Sequence, residues 1–143
     1  MPDEQAVRAV NDRLFEASLA GDADTVDALL SDRAGCIYIN TDPDEWWDKA
    51  TQMAWKRETI KNADLVDGGV RVGDSTIRVE PGDYAVHVQG EVAWAEGTAK
   101  FVNEQGGQRV ARSTAVFVRE DGGWRCVQSH ASLGVSHQDI FKT

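Results

Sequence analysis

Few residues in this chain have the chemistry to handle a proton, a metal or a polar ligand. Three histidines, His87, His130 and His137, and two cysteines, Cys36 and Cys126, are scattered along it, and no Cys–His spacing matches a zinc site. The glycine pairs in "QGG" and "DGG" read as hairpin turns, not as a phosphate-cradling loop. Neither a metal nor a cofactor is therefore expected. The segment "WRCVQSHASLGV", Trp124 to Val135, concentrates the polar chemistry in what otherwise reads as a buried strand. Strand alternation puts Trp124, Cys126, Gln128 and His130 on one face and Val127, Ser129 and Ala131 on the other. Both faces are unusual, because Trp and Cys seek cover while buried Gln and His need hydrogen-bond partners. If His130 faced an apolar cavity beside Glu96 or Asp83, the pair would have the makings of a general base.

The elements that position these residues follow from periodicity. Val7, Val10, Leu14 and Ala17 predict a helix over Asp3–Ala20, closed by Gly21. "DADTVDALL" predicts a second helix, capped by Asp22 or Asp24, that buries Val26, Leu29 and Leu30. "GCIYIN" is a short strand. In "TDPDEWWDKATQMAWKRETI", Asp42 as N-cap, Pro43 at the first position and Glu45 three residues past the cap predict a third helix. Its apolar side holds Trp46, Trp47, Ala50, Met53, Ala54 and Ile60, and Trp55 points away from them. Residues 62–74 read as a loop with one edge strand. Strands are then expected at Ser75–Val79, Asp83–Val88, Glu91–Val102, Arg109–Arg119 and Trp124–Leu133. Helices followed by antiparallel strands form an α+β fold with the helices on one face of the sheet.

A chain of 143 residues with 41% apolar content supports one domain, placed at residues 1–135 with a tail at 136–143. Its 24 acidic against 15 basic residues, a formal charge of −9, repel phosphate backbones and anionic lipid, so neither nucleic acid nor a membrane surface is an expected partner. The N-terminal "MPDEQAVRAV" is too charged for a secretory signal or a membrane span, which makes a cytoplasmic location the expectation.

"INTDPDEWW", "GEVAWAEG" and "RSTAVFVREDGGWRCVQSHAS", in this order and spacing, resemble the SnoaL-like branch of the nuclear transport factor 2-like superfamily. The resemblance spans essentially the whole chain. It implies a cone-shaped, curled antiparallel sheet, of the cystatin-like type, with three N-terminal helices on its concave face. Members include ketosteroid-isomerase-like enzymes, polyketide cyclases, dehydratases, small-molecule binders and a kinase association domain, so the fold alone selects no function. It also implies that Ala93, Ala95, Gly97, Ala99 and Phe101 face the helices while Trp94, Glu96, Thr98 and Lys100 face away.

A type I turn with Gly122 in a bulge at "REDGGW" would pair Arg119 with Gly123 and set Arg112 opposite His130. Ala111, Ser113, Ala115 and Phe117 then join Val127, Ser129 and Ala131 in a floor of mostly small side chains. Trp46, Trp47 and Met53 either plug the hollow above that floor or wall it as a pocket. As a pocket, Tyr38, Trp46, Trp47, Met53, Tyr84, Ser113 and Ser129 would suit a small apolar or aromatic ligand. The outer face, with Trp94, Arg112, Trp124, Gln128 and His130, has the composition of a homodimer interface, as the sheet-to-sheet dimers of the superfamily also imply. The leading expectation is a small-molecule-binding domain. A general acid/base enzyme of isomerase, cyclase or dehydratase type, and an association module, are the alternatives. The small floor holds no carboxylate base, since Asp42 and Glu45 are assigned to capping and Glu96 to the outer face.

Overall fold

The computed structural model describes residues 2–62, 65–66, 69–72 and 74–142. The first two helices form where the sequence places them. Helix α1, Asp3–Ala20, ends as Gly21 takes a left-handed φ of 75° and its N–H bonds back to Ala17. Helix α2, Ala23–Leu29, is capped by Asp22, whose carboxylate accepts from the Thr25 N–H at 3.1 Å.

The third helix starts later than its capping motif predicts. Strand β1, Ile37–Ile39, turns through Asp42–Glu45 into a second short strand, β2, Trp46–Trp47, and α3 spans Lys49–Lys61. Glu45 does accept from the Asp42 N–H at 2.9 Å, but the motif closes a turn and no helix follows it. A tight turn and a first helical turn use similar backbone angles, so the same side-chain pairing serves both. The tryptophans then pair with Ile39 and Tyr38, and Asp48 caps α3 by accepting from the Thr51 N–H at 2.8 Å.

The remaining strands are β3, Leu65–Val66; β4, Gly69–Val72; β5, Ser75–Gln89; β6, Val92–Val102; β7, Gln108–Glu120; and β8, Gly123–Leu133. Positions 63, 64, 67, 68 and 73 of the expected loop lie outside the described residues. The two strands expected on either side of Pro81-Gly82 are one, β5, with a register shift between Pro81 and Tyr84. The described strands form one curled sheet in the order β2-β1-β8-β7-β6-β5-β4-β3, antiparallel except where β1 runs parallel to β8. The helices cover one face of it, in the expected α+β cone, and Val7, Val26 and Met53 meet Val86, Ala93, Phe117 and Cys126 in a shared core.

Two local features of the last hairpin decide which side chains face that core. Asp121 and Gly122 both have positive φ, 49° and 78°, so the turn has two residues and pairs Glu120 with Gly123. That is the primed hairpin turn for which Asp-Gly is a preferred pair, in place of the expected bulged type I turn. The register then shifts by one, from Phe117 opposite Cys126 to Val116 opposite Gln128, leaving Val127 as the extra residue of a β-bulge. Trp124 and Cys126 consequently face the helices, each 2% exposed, while Gln128 and His130 face outward. The expected grouping of these four residues is thus corrected: the bulge breaks their alternation. Thr114 opposes His130, and Arg112 opposes Ser132.

Trp124 is buried under the Arg119 guanidinium, which lies 4.5 Å from the ring centroid and bonds Asp3 of α1 at 2.6 Å. Its indole Nε1 is buried without a hydrogen-bond partner. Trp124→Ala is expected to lower the free energy of unfolding by about 3–5 kcal/mol, and Trp124→Phe by less, because the unpaired donor leaves with the indole. Urea unfolding at fixed protein concentration measures both. A loss below about 1 kcal/mol for the alanine variant would contradict a core position.

Candidate functional site

The helix side of the sheet is closed at one end and looser in the middle. Ala93 and Phe117 lie with Cys126 under α1 and α2 and are fully buried. One row along, Val86 and Ala95 remain buried, but their neighbours Ala115 and Ser129 are only half-buried. In the next row Gly97, Ser113 and Ala131 are all half-buried, and beyond them Ala111 is covered again. Small side chains that stay half-buried on a face turned toward a helix layer mark where that layer covers the sheet incompletely.

The sequence-predicted pocket residues divide around this region. Ser113 and Ser129 lie in it. Met53 is core, and Tyr38 is core with its hydroxyl donating to the Cys126 carbonyl at 3.1 Å. Burial pushes the Tyr38 phenol well above its ordinary pKa, so it stays protonated. The Tyr84 hydroxyl donates to Asp12 Oδ1 at 2.6 Å, tying β5 to α1, and burial followed by that carboxylate raises its pKa. Neither tyrosine hydroxyl is left for a ligand. Trp46, 65% exposed, points away from the helices because it alternates with Trp47 along β2. Trp47 is half-buried, its ring 5.5 Å from that of Trp55 on α3. The tryptophan that seemed misplaced on its helix thus has a partner.

Sequence reasoning missed Lys56. The buried stripe of α3 is Met53, Lys56 and Thr59 with half-buried Ile60, whereas Ala50 and Ala54 are exposed, contrary to the expected apolar side. Lys56 is only 7% exposed and makes no hydrogen bond or ion pair among the described residues, but its Nζ is not among the buried polar atoms that lack a partner, so the burial is that of its stem. Its Nζ lies 5.5 Å from the Trp55 ring centroid. Desolvation lowers its pKa. The three-residue spacing from Met53 was a readable signal, passed over because lysine normally marks a solvated face.

Lys49 and Arg57 on the same helix do have carboxylate partners. Lys49 reaches Asp32 at 2.6 Å, Asp27 at 2.9 Å and the Leu30 carbonyl at 3.1 Å, and Arg57 bridges Asp24 and Asp27. Burial works against the charge on Lys49, but Asp32 and Asp27 together raise its pKa. Two surface depressions, of about 470 and 420 Å³, lie in the groove between α1 and α2 and around Asp24, Asp32 and Arg125. Neither contains a predicted pocket residue. Among the described residues no group of His, Cys, Asp and Glu is placed to hold a metal ion, and no helix is long and apolar enough to cross a membrane.

The SnoaL-like domain model matches residues 7–136. The chain belongs to the SnoaL-like family. Solved structures similar to this SnoaL-like domain include an NTF2-like protein with a cystatin-like fold from Novosphingobium aromaticivorans, at 20% identity and a TM-score of 0.70 over 99% of this chain and 90% of that one. A proposed dehydratase of the NTF2-like family from Streptomyces avermitilis is 21% identical, with a TM-score of 0.67 over 94% of this chain and 97% of that one. A proposed calcium/calmodulin-dependent protein kinase type II association domain from Thiobacillus denitrificans is 20% identical, with a TM-score of 0.64 over 90% and 94%. At these identities the likeness is one of fold. No curated protein matches the chain in sequence.

On the outer face of this SnoaL-like domain, His87 rather than His130 pairs with Glu96, at 2.9 Å, and stacks on Trp94 at 5.5 Å between ring centroids. His87 and Glu96 are both solvent-exposed, so the carboxylate nearest a histidine lies on the side away from the helix layer. Trp94, Arg112, Gln128 and His130 share this face, whereas Trp124 does not.

Partial desolvation of its side chain opposes the charge on Lys56, so Lys56→Met is expected to raise the free energy of unfolding at neutral pH by about 1 kcal/mol. The pH dependence has a definite sign. With the folded pKa lowered, the unfolded chain holds the proton to higher pH than the folded one. The penalty is complete below the folded pKa and fades as pH rises toward the ordinary lysine value. Urea titrations between pH 7 and pH 10 should therefore show the gap between variant and parent narrowing. A constant or absent gap would mean that Lys56 is solvated.

Proposed function

We propose that this SnoaL-like domain binds a small apolar or aromatic molecule between α3 and the helix-side face of β6–β8, and that it does so in the cytoplasm. The supporting observation is the half-buried band of Gly97, Ser113, Ala115, Ser129 and Ala131 on a face that is otherwise core. Two serine hydroxyls in a small-residue floor, with the Trp47–Trp55 pair contributed by β2 and α3, are the groups such a site uses: mostly apolar walls with few polar anchors. The acid/base alternative is less well supported. The similar Streptomyces structure is a proposed dehydratase, but in this chain Asp12 is hydrogen-bonded to Tyr84 and Glu96 is on the outer face. A neutral fluorescent probe, N-phenyl-1-naphthylamine, is expected to bind saturably, one per chain, and to lose that binding in Ala131→Phe, whose ring would occupy the band. No saturable signal, or an unaffected variant with a normal melting temperature, would reject the site.

The outer face is proposed to join two copies. Trp94 is 40% exposed and Val92 beside it 41%, with Val116, His130 and Arg112 on the same side, a patch that a twofold copy would remove from water. Trp124 is no longer part of it. Sedimentation of the parent and of Trp94→Glu at micromolar concentration is expected to give a dimer and a monomer respectively. A monomeric parent, or a variant dimer as tight as the parent's, would overturn the proposal.

A further inference from the structure

We propose that the dimer of the outer face is closed by exchanged polar pairs, His130 of each copy meeting the partner's Glu96 across a twofold axis that runs along β7. The inference rests on the dimer reading above and names the groups that orient the two copies. Glu96 and His130 oppose the same residue, Thr114, from the strands on either side of β7, and one row along Trp94 and Gln128 flank Val116 in the same way. All four flanking side chains are exposed. Neighbouring strands lie about 4.8 Å apart, so Glu96 and His130 of one copy stand two such spacings from each other and form no ion pair. The Glu96 carboxylate is held from its other side by His87 Nε2 at 2.9 Å, with lone pairs to spare, while the side chains of His130 and Gln128 bond no described residue. Rotation about an axis along β7 exchanges β6 and β8. It lays the partner's Glu96 over His130 and the partner's Trp94 over Gln128, each twice, because a twofold contact repeats every pair. An axis across the strands through the same centre would instead set Glu96 against the partner's Glu96, opposing like charges. Along the β7 axis the central residues, Thr114 and Val116, are uncharged, and the next one, Arg112, leans off it toward the Ser132 hydroxyl at 3.4 Å.

Sedimentation velocity on the full chain, at neutral pH and micromolar concentration, tests this with two charge reversals at exposed positions. The parent is expected to be a dimer. His130→Glu would set a like charge against the partner's Glu96, and Glu96→Lys would remove the acceptor that His130 meets. Each is therefore expected to raise the dimer dissociation constant at least about tenfold. An equimolar mixture of the two variants is expected to recover the dimer, because both contacts of the mixed pair then join opposite groups. A contact within one chain could not be restored by mixing. Should either variant not fold by circular dichroism, His130→Asp or Glu96→Arg takes its place. A monomeric parent would overturn the dimer reading and the pairing together. A dimeric parent that Trp94→Glu dissociates but His130→Glu or Glu96→Lys leaves intact would overturn the pairing alone. Two monomeric variants whose mixture stays monomeric would overturn it as well.

Discussion

The carbonyl oxygen of Cys126 is the point on which the helix layer and the sheet are joined. It accepts from the Ser31 N–H at 2.9 Å and from the Tyr38 hydroxyl at 3.1 Å, binding the exit of α2 and the first strand to the same backbone atom. Leu30 bridges to Cys126 in parallel, continuing below β1 the pairing that β1 makes with β8. Ser31 in turn donates to Glu120, which also takes the Arg33 guanidinium, and Lys49 holds the Leu30 carbonyl from the first turn of α3. The contacts to Glu120 and from Lys49 are charge-assisted and the others are ordinary hydrogen bonds. Their shared location makes the segment from Leu30 to Arg33 a fixed junction of α2, α3, β1 and β8.

The bulge at Val127 stands one residue from that carbonyl, and it lets one strand serve two environments. Below it β8 contributes Trp124 and Cys126 to a filled core; above it the same strand presents Ser129 and Ala131 to the helices and Gln128 and His130 to the outside. Without the extra residue, a strand that buries Trp124 would also bury Gln128 and His130, whose polar groups would then need partners from a core of Ala, Val and Phe. A bulge is the local device that resolves such a conflict, at the cost of one irregular pair in the ladder.

Much of this was readable from local chemistry. The Asp22 cap, the left-handed Gly21 and the apolar spacing of α1 act over a few residues and formed as read. Of the expected Asp42–Glu45 capping box only the Glu45 half forms, because the continuation depends on whether Trp46 and Trp47 propagate a helix or pair with Tyr38 and Ile39. That choice is made by β1, which is tertiary context. The last hairpin carried two register errors: a two-residue turn where three were expected, and an unforeseen bulge. Their parities cancel beyond Val127, so Ser129, Ala131, Gln128 and His130 fall on the faces expected, whereas Trp124 and Cys126 before it do not. Period-two reasoning is reliable only between irregularities, and bulges leave little trace in residue type.

Lys56 escapes for a different reason: its spacing on α3 puts it in the stripe with Met53, but a hydropathy reading assigns every lysine to solvent and takes no account of a long apolar stem that can be covered. The kind of charge the helix layer holds also bears on mechanism. Proton abstraction in an apolar site calls for a group that is a base at neutral pH, usually a carboxylate or an imidazole. The half-buried band itself offers the hydroxyls of Ser113 and Ser129, while Asp12 is bonded to Tyr84 and the His87–Glu96 pair faces away. Neither of those carboxylates is placed to serve the band as a base, so the geometry supports proton abstraction there less well than binding.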